Sequence, residues 1–329
     1  MGPYEIFLMV VFGTQVAVGV LGNSFLICLF TLIIITGQRR RAIDMILFQL
    51  AWANSLMVIS KNIPLIMAAV NLKNFLNDHG CKVFFYLTRV FHGLSLSMTC
   101  LLSSFQAITI SPRRSKWAEL KDRALEFLIP TCSLCWIFHL LLNILVLEKI
   151  SGPRMSSNVS VILPYGYCSH SAKTIVSASL FVVMVSFPDV VCVGLMVFTS
   201  GYMTLLLYKH QKQVQHVHTT SPSPRASPET RATLSIPLLV STFVSFYALN
   251  SILAAYIHFR KPRLWLVHSS TFLAACFPTC SPFVLIGTDS QILRHCSALW
   301  GRKNGHFWDI SLSLGFSKEP GRHNQLINF

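Results

Sequence analysis

Arg89, His92, Leu96, Thr99, Ser103 and Gln106 follow one another at intervals of three and four, a spacing that aligns side chains along one face of an α-helix. Five of the six are polar, and Arg89 is the only Lys, Arg, Asp or Glu between Lys82 and Arg113. A guanidinium followed by an imidazole, hydroxyls and a carboxamide suits binding: it offers donors to an anion or to a hydrogen-bond acceptor. Arg89, His92 and Thr99 are therefore candidate ligand-pocket residues. The competing explanation is that Arg89 snorkels to an interface and His92 bonds a neighbouring helix. Asp189, next to Pro188, is a second buried-charge candidate; the pair is a candidate conformational switch, and equally a structural device in which Asp189 or water satisfies backbone groups freed by Pro188. Counted along its helix from Lys173, Asp189 is expected about 24 Å deep, too deep to pair with Arg89. Lys61, beside Pro64, is expected to snorkel to the outer interface.

Catalytic patterns are missing from the sequence. It has no His-Glu-x-x-His, no phosphate-binding Walker loop and no nucleophile elbow, so no catalytic residue and no enzyme activity is expected. His216 and His218 lack a third ligand, and no metal or cofactor is expected.

The elements that position these residues follow from composition: 53% of residues are hydrophobic, 12% are charged and mean hydropathy is +0.56. This is a membrane composition. The formal charge of +15 falls between long apolar runs and not on one solvated face, so no nucleic-acid partner is expected and the basic patches belong beside membrane lipids. Seven stretches meet the length of roughly 20 residues needed to cross a hydrocarbon core. They run over residues 6–36, 42–70, 83–110, 127–147, 174–208, 232–259 and 264–288. The chain is thus expected to be an all-α membrane protein, a seven-transmembrane helix bundle over residues 1–289 with a short tail over 290–329. The first span, with no basic region before it, reads as an uncleaved signal anchor.

Basic residues set the orientation. Seventeen Lys and Arg lie in residues 37–41, 111–123, 209–231 and 290–329, and eight lie in the loops on the other side. The N-terminus is expected outside and the C-terminus in the cytoplasm. Asn158-Val159-Ser160, a glycosylation acceptor, then falls outside. Cys81, at the outer end of span three, and Cys168, in the same outer loop as Asn158, are positions that an oxidising compartment would allow to pair. Ser227, Pro228 and Glu229 suit an N-cap, a first helical position and a dipole-complementing acid, so helix six starts well before the membrane, and Pro237 offers it a kink. The KHQKQVQHVHTTSPSPR segment before it reads as a polar linker. Ile292, Leu293, Cys296, Leu299 and Trp300 form a short stripe suited to the inner leaflet, with Cys296 a candidate for palmitoylation.

The stretches DMILFQLAWANSLMVISKNIP (44–64), GCKVFFYLTRVFHGLSLSMTCLLSSFQAITISPRRSKW (80–117), SPRASPETRAT (223–233), LLVSTFVSF (238–246) and CFPTCSPFVLI (276–286) resemble the vomeronasal type-1 receptors, G-protein-coupled pheromone receptors. The resemblance reaches to about residue 295. It implies a multi-pass plasma-membrane receptor that binds a small-molecule pheromone or odorant and activates an inhibitory-class heterotrimeric G protein. On that view Arg113, Arg114, Lys116 and Arg231 are G-protein-coupling candidates, and helix six is the lever that admits the G protein. Span three ends without the Asp-Arg-Tyr of rhodopsin-like receptors, span seven carries Ser281-Pro282-Phe283-Val284-Leu285 in place of Asn-Pro-x-x-Tyr, and Asn54 stands where many such receptors have a sodium-binding aspartate. A bitter-taste-like chemoreceptor is the nearest alternative, followed by a transporter or channel.

Overall fold

A computed structural model describes residues 2–35, 42–70, 78–111, 118–144, 147, 150–151, 161–165, 168–172, 175–217, 228–259 and 264–288. Its long elements are seven helices: α1 (Pro3–Ile35), α2 (Ala42–Ala69), α3 (Asp78–Ile110), α4 (Ala118–Leu142), α5 (Ile175–Val217), α6 (Pro228–Phe259) and α7 (Leu264–Thr288). Between α4 and α5 lies a small antiparallel sheet of β1 (Ile150–Ser151), β2 (Val161–Tyr165) and β3 (Cys168–Ala172), in the order β1-β3-β2. Nothing in the sequence pattern announced the sheet. Its strands pair in the register Ile150 with His170 and Leu163 with His170, and it packs on α3 through β1 and on α5 through β3.

Local chemistry explains several helix ends. Pro3 opens α1 where a missing N–H costs nothing, and Glu5 reaches back to accept the Gly2 N–H at 2.9 Å, as in a capping box. α6 begins at Pro228. Part of the expected linker is helical, because α5 continues through Val217. Lys, Gln and Val carry no helix-breaking feature, and no proline appears until Pro222.

Five helices contain stretches long and apolar enough to cross a membrane: Pro3–Ile35, Ile43–Met67, His79–Ile110, Ser186–Leu206 and Trp265–Gly287. α4 and α6 contribute shorter apolar runs, Glu126–Leu142 and Leu238–Leu253. The bundle is inverted in the sense a bilayer requires. Large apolar side chains such as Leu21, Phe187 and Phe198 cover the outside, while Asn23, Asn54, Ser95, Thr99 and Ser103 are buried within. α3 is the most enclosed of the apolar spans, 67% of its most apolar stretch buried against 22% for α5, and its Leu94, Met98 and Leu102 are core residues. The polar stripe of the sequence therefore lies on a central helix.

α1 and α7 dock through a close approach at glycine and through hydrogen bonds from side-chain amides. A Cβ on Gly22 would meet Pro282 Cγ at 2.9 Å, so only glycine allows this approach. Asn23 Nδ2 donates to the Pro278 carbonyl at 2.9 Å, and Gln15 Nε2 to the Phe272 carbonyl at 3.0 Å. Pro282 has no N–H to give the carbonyl four residues earlier, that of Pro278, and Asn23 supplies the missing donor.

Gly22→Val is expected to lower stability by about 2 kcal/mol, the usual cost of overpacking, and Asn23→Leu by about 1 kcal/mol. Gly13→Ala, where an added Cβ meets nothing within 4 Å, should be neutral or slightly stabilising. Thermal unfolding of the purified protein in detergent compares the three.

Candidate functional site

The polar stripe of α3 faces α5. Arg89 Nη2 donates to Asp189 Oδ2 at 3.4 Å, and His92 Nε2 lies 3.6 Å from the same oxygen. The carboxylate is nearly buried, its side chain 6% exposed, with Arg89 at 23% and His92 at 18%. Lower down, Ser103 Oγ meets Thr199 Oγ1 at 2.6 Å. Since the Thr199 hydroxyl also donates to the Leu195 carbonyl, Ser103 is the donor in that pair. A third rung joins Ser111 Oγ and Tyr202 Oη at 2.9 Å.

These rungs correct the expectation that Asp189 is too deep for Arg89. The sequence separation of the bonded partners falls from 100 to 96 to 91 down the bundle, so α3 runs obliquely across α5 and uses more residues for the same descent. A slower descent of α3 would leave Arg89 shallower still, so the depth count fails on its assumption of level starts: α5 begins at Ile175, fourteen residues before Asp189, and α3 at Asp78, eleven before Arg89, and the two helices meet at that rung with their outer ends at different heights. Pro188 lies inside α5, and its neighbour's carboxylate serves Arg89.

Around His92 the site becomes aromatic. The imidazole stacks on Tyr247 with centroids 6.4 Å apart, Tyr247 stacks on Phe243 at 5.9 Å, and Phe243 meets Phe277 edge-on at 4.5 Å. His92, Ser95, Met57, Phe246, Asn250 and Phe277 are among the residues lining a cavity of about 20 Å³, room for about one water. Ser270 Oγ donates to Asn250 Oδ1 at 2.9 Å, which leaves the Asn250 amino group to other partners.

Ser95 connects this cavity to α7. Its hydroxyl donates to Asn54 Oδ1 at 2.6 Å, Asn54 Nδ2 donates to Ser281 Oγ at 2.9 Å, and Ser281 Oγ lies 3.4 Å from the Pro278 carbonyl. Chains from α1 and from α3 by way of α2 thus end on the one carbonyl that Pro282 leaves without its helical donor. Asn54 serves as a neutral linker. Sequence reasoning noted Asn54 and Ser281 as departures from a pattern but not their contact; the available signal was that buried amides and hydroxyls require partners. Tyr247 and Asn250 were also missed, being ordinary residues in a helix of weak pattern.

The structure brings Arg89, His92 and Asp189 together and leaves Thr99 apart. The Thr99 hydroxyl turns back to the Ser95 carbonyl at 2.8 Å, and Thr99 is not among the cavity's lining residues. Ser97 Oγ and His139 Nε2, 2.8 Å apart, tie α3 to α4, and a Cβ on Gly93 would overlap the His139 ring. Cys81 is buried and disulfide-bonded. Cys168 begins β3, but its side chain lies outside the described residues, as do Asn158, Arg113, Arg114, Lys116, Cys296 and the side chains of Arg231 and Pro237. Among the described residues no group of three or more His, Cys, Asp or Glu is arranged for a metal.

The model of the vomeronasal organ pheromone receptor family matches residues 7–298. Human vomeronasal type-1 receptor 1 is 46% identical over 290 residues, covering 88% of this chain and 82% of that one. Human vomeronasal type-1 receptor 4 is 42% identical over 290 residues, covering 88% and 96%. The more distant vomeronasal type-1 receptor 90 of Rattus norvegicus is 35% identical over 296 residues, covering 89% and 94%.

Removing one partner of a buried ion pair strands the other charge. Asp189→Asn is expected to destabilise the protein by about 3 kcal/mol, and adding Arg89→Met to it should restore most of the loss. Unfolding midpoints of the two single variants and the double variant measure the coupling.

Proposed function

The chain belongs to the vomeronasal organ pheromone receptor family, and from that membership we propose that it is a plasma-membrane chemoreceptor that converts small-molecule binding in its outer helix bundle into activation of an inhibitory-class heterotrimeric G protein. The N-terminus faces outside, all seven helices cross the membrane, and the C-terminus lies in the cytoplasm. The excess of Lys and Arg in residues 37–41, 111–123, 209–231 and 290–329 supports that orientation. A disulfide between Cys81 and Cys168 ties the outer loop to α3, in keeping with the bonded state of Cys81.

The observation that carries the reading is the Arg89–Asp189–His92 cluster beside an aromatic-lined cavity in the interior of the bundle. Ionisable groups at such positions are costly and mark functional sites in membrane proteins. A ligand that enters the cavity touches Ser95 and His92. Through Ser95 it reaches Asn54 and the proline-broken segment of α7, and through His92 it reaches Tyr247 on α6. Both helices have a means of yielding: α7 has Pro278 and Pro282, and α6 has Pro237. Movement of the inner end of α6 near Arg231 would open a cytoplasmic cleft beside Arg113, Arg114 and Lys116, where the C-terminal helix of a G protein docks.

Two measurements test this reading. Exchanging Arg113 and Arg114 for Gln, with compensating Arg residues later in the same loop to hold topology, should cut agonist-driven nucleotide exchange about tenfold or more at unchanged surface level, as expected for lost charge-assisted contacts. Exchange that persists unchanged assigns coupling to other residues. Non-reducing peptide mapping of the mature protein should recover Cys81 and Cys168 in one linked peptide; both thiols free would remove the bridge.

A further inference from the structure

Cysteines inside membrane spans ordinarily serve as small apolar packing groups, but at one level of this bundle they meet each other. The thiols of Cys100 on α3 and Cys192 on α5 are in hydrogen-bonding contact, and Cys135 of α4 lies close to both. All three are free. Among the described residues no three such groups are arranged for a metal. The pair sits between two rungs that join α3 to α5, Arg89–Asp189 at 3.4 Å and Ser103–Thr199 at 2.6 Å. The helices are therefore held together at both ends of the segment that carries it.

The two thiols are not equivalent. Cys100 is 7% exposed, whereas Cys192 is half-buried and stands on α5, the least enclosed of the apolar spans. An oxidant meets Cys192 first. The Cys192 thiol also touches the Ser97 hydroxyl, and Ser97 Oγ lies 2.8 Å from His139 Nε2. In the tautomer that leaves Nε2 as an acceptor, a proton has a path from Cys192 through Ser97 to the imidazole. Loss of that proton is what makes a thiol nucleophilic. Asp189, one turn before Cys192, is engaged by Arg89 and faces His92, so its charge opposes a thiolate less than a bare carboxylate would. A nucleophile, a route for its proton and a second thiol in contact are thus assembled from α3, α4 and α5.

We propose that Cys192 and Cys100 form an oxidative modification site, a thiol pair that a hydroperoxide converts to a disulfide joining α5 to α3. Cys192 Sγ attacks the terminal oxygen of the hydroperoxide: an S–O bond forms, the O–O bond breaks, and the leaving alkoxide takes the proton that Ser97 and His139 received from Cys192. Cys192 is then a sulfenic acid, and the hydroperoxide has become an alcohol. Cys100 Sγ next attacks Cys192 Sγ, forming the S–S bond, and hydroxide departs with the Cys100 proton as water. Two thiols lose two electrons, and the hydroperoxide gains them. Because α3 carries His92 and Ser95 of the cavity wall, the bond ends relative movement of α3 and α5 beside that wall. The oxidant is either hydrogen peroxide from the water phase or a peroxidised acyl chain of the bilayer, which share the O–O bond.

The full-length receptor in phosphatidylcholine nanodiscs is exposed to hydrogen peroxide or to the bilayer-soluble cumene hydroperoxide. Remaining thiols are alkylated in denaturant, and digests are analysed by mass spectrometry without reduction. Either probe should yield a new linked peptide joining Cys100 to Cys192, two hydrogens lighter than its parts and released by reduction. It is read on the unsubstituted protein, so no folding defect can mimic it. Faster linkage by cumene hydroperoxide supports the pair with oxidant arriving through the bilayer, and faster linkage by hydrogen peroxide supports it with oxidant arriving through water. Cys100→Ala should stop the reaction at a sulfenic acid on Cys192 that dimedone traps, while Cys192→Ala should leave Cys100 reduced. Ser97→Ala should slow linkage about tenfold or more, and Ser97→Thr should retain most of the rate, which separates the proton path from a packing role. Recovery of both thiols in alkylated form after either oxidant overturns the inference. So does a peptide that links either cysteine to Cys135 in place of the other. Oxidation of Cys100 at the unsubstituted rate in Cys192→Ala overturns the assignment of Cys192 as nucleophile, and an unchanged rate in Ser97→Ala overturns the proton path.

Discussion

A guanidinium held within a helix bundle in a bilayer costs several kcal/mol unless a counter-charge and hydrogen bonds meet it, and in this receptor that condition is met across the α3–α5 interface by Asp189. The pairing sets how α3 lies against α5: with the outer rung fixed at Arg89 and Asp189, the lower rungs at Ser103–Thr199 and Ser111–Tyr202 follow the slant of α3. It also sets the position of His92, which shares the Asp189 oxygen and stacks on Tyr247. The cavity beside His92 is bounded on its α3 side by residues whose places this one interaction determines.

The other half of the bundle is organised by the same physical demand applied to backbone groups. Prolines in α7 remove N–H donors, and in a medium without water the stranded carbonyls must be satisfied by protein. Asn23 from α1 bonds the Pro278 carbonyl, and Ser281, itself bonded by Asn54, lies within reach of it. A proline break that would weaken an isolated helix becomes a docking point for α1 and α2. Since Ser95 belongs both to this network and to the cavity wall, the place where a ligand is felt and the place where α7 is least regular are joined by two hydrogen bonds. That arrangement gives a small molecule leverage on a helix capable of two conformations, without a charged sodium-type centre at Asn54.

Much was legible in the sequence because the bilayer imposes a one-dimensional constraint. Length and hydropathy are properties of consecutive residues, so the seven long helices, five of them with apolar stretches of membrane-spanning length, and the start of α6 at Pro228 could be read without knowledge of neighbours. The family motifs, long and specific, were likewise a matter of chain order. The helical extension of α5 through Val217 and the sheet between α4 and α5 were not legible, because polar, Gln-rich segments and short strands have no periodicity strong enough to distinguish them from loops.

What the sequence by itself determined was which residues must be inside: an Arg, a His, an Asp and a set of amides and hydroxyls that cannot face lipid. Their partners were decided only by tertiary structure. Equal helix starts placed Asp189 below Arg89, but the outer ends of α3 and α5 stand at different heights, and the two side chains meet at 3.4 Å. Thr99, in step with the polar stripe, bonds its own helix, while Tyr247 and Asn250, unremarked in sequence, line the cavity. Periodicity reports the face of one helix, whereas a site depends on the relative height and rotation of several helices, and those follow from packing and polar pairing across interfaces that no single stretch of chain contains.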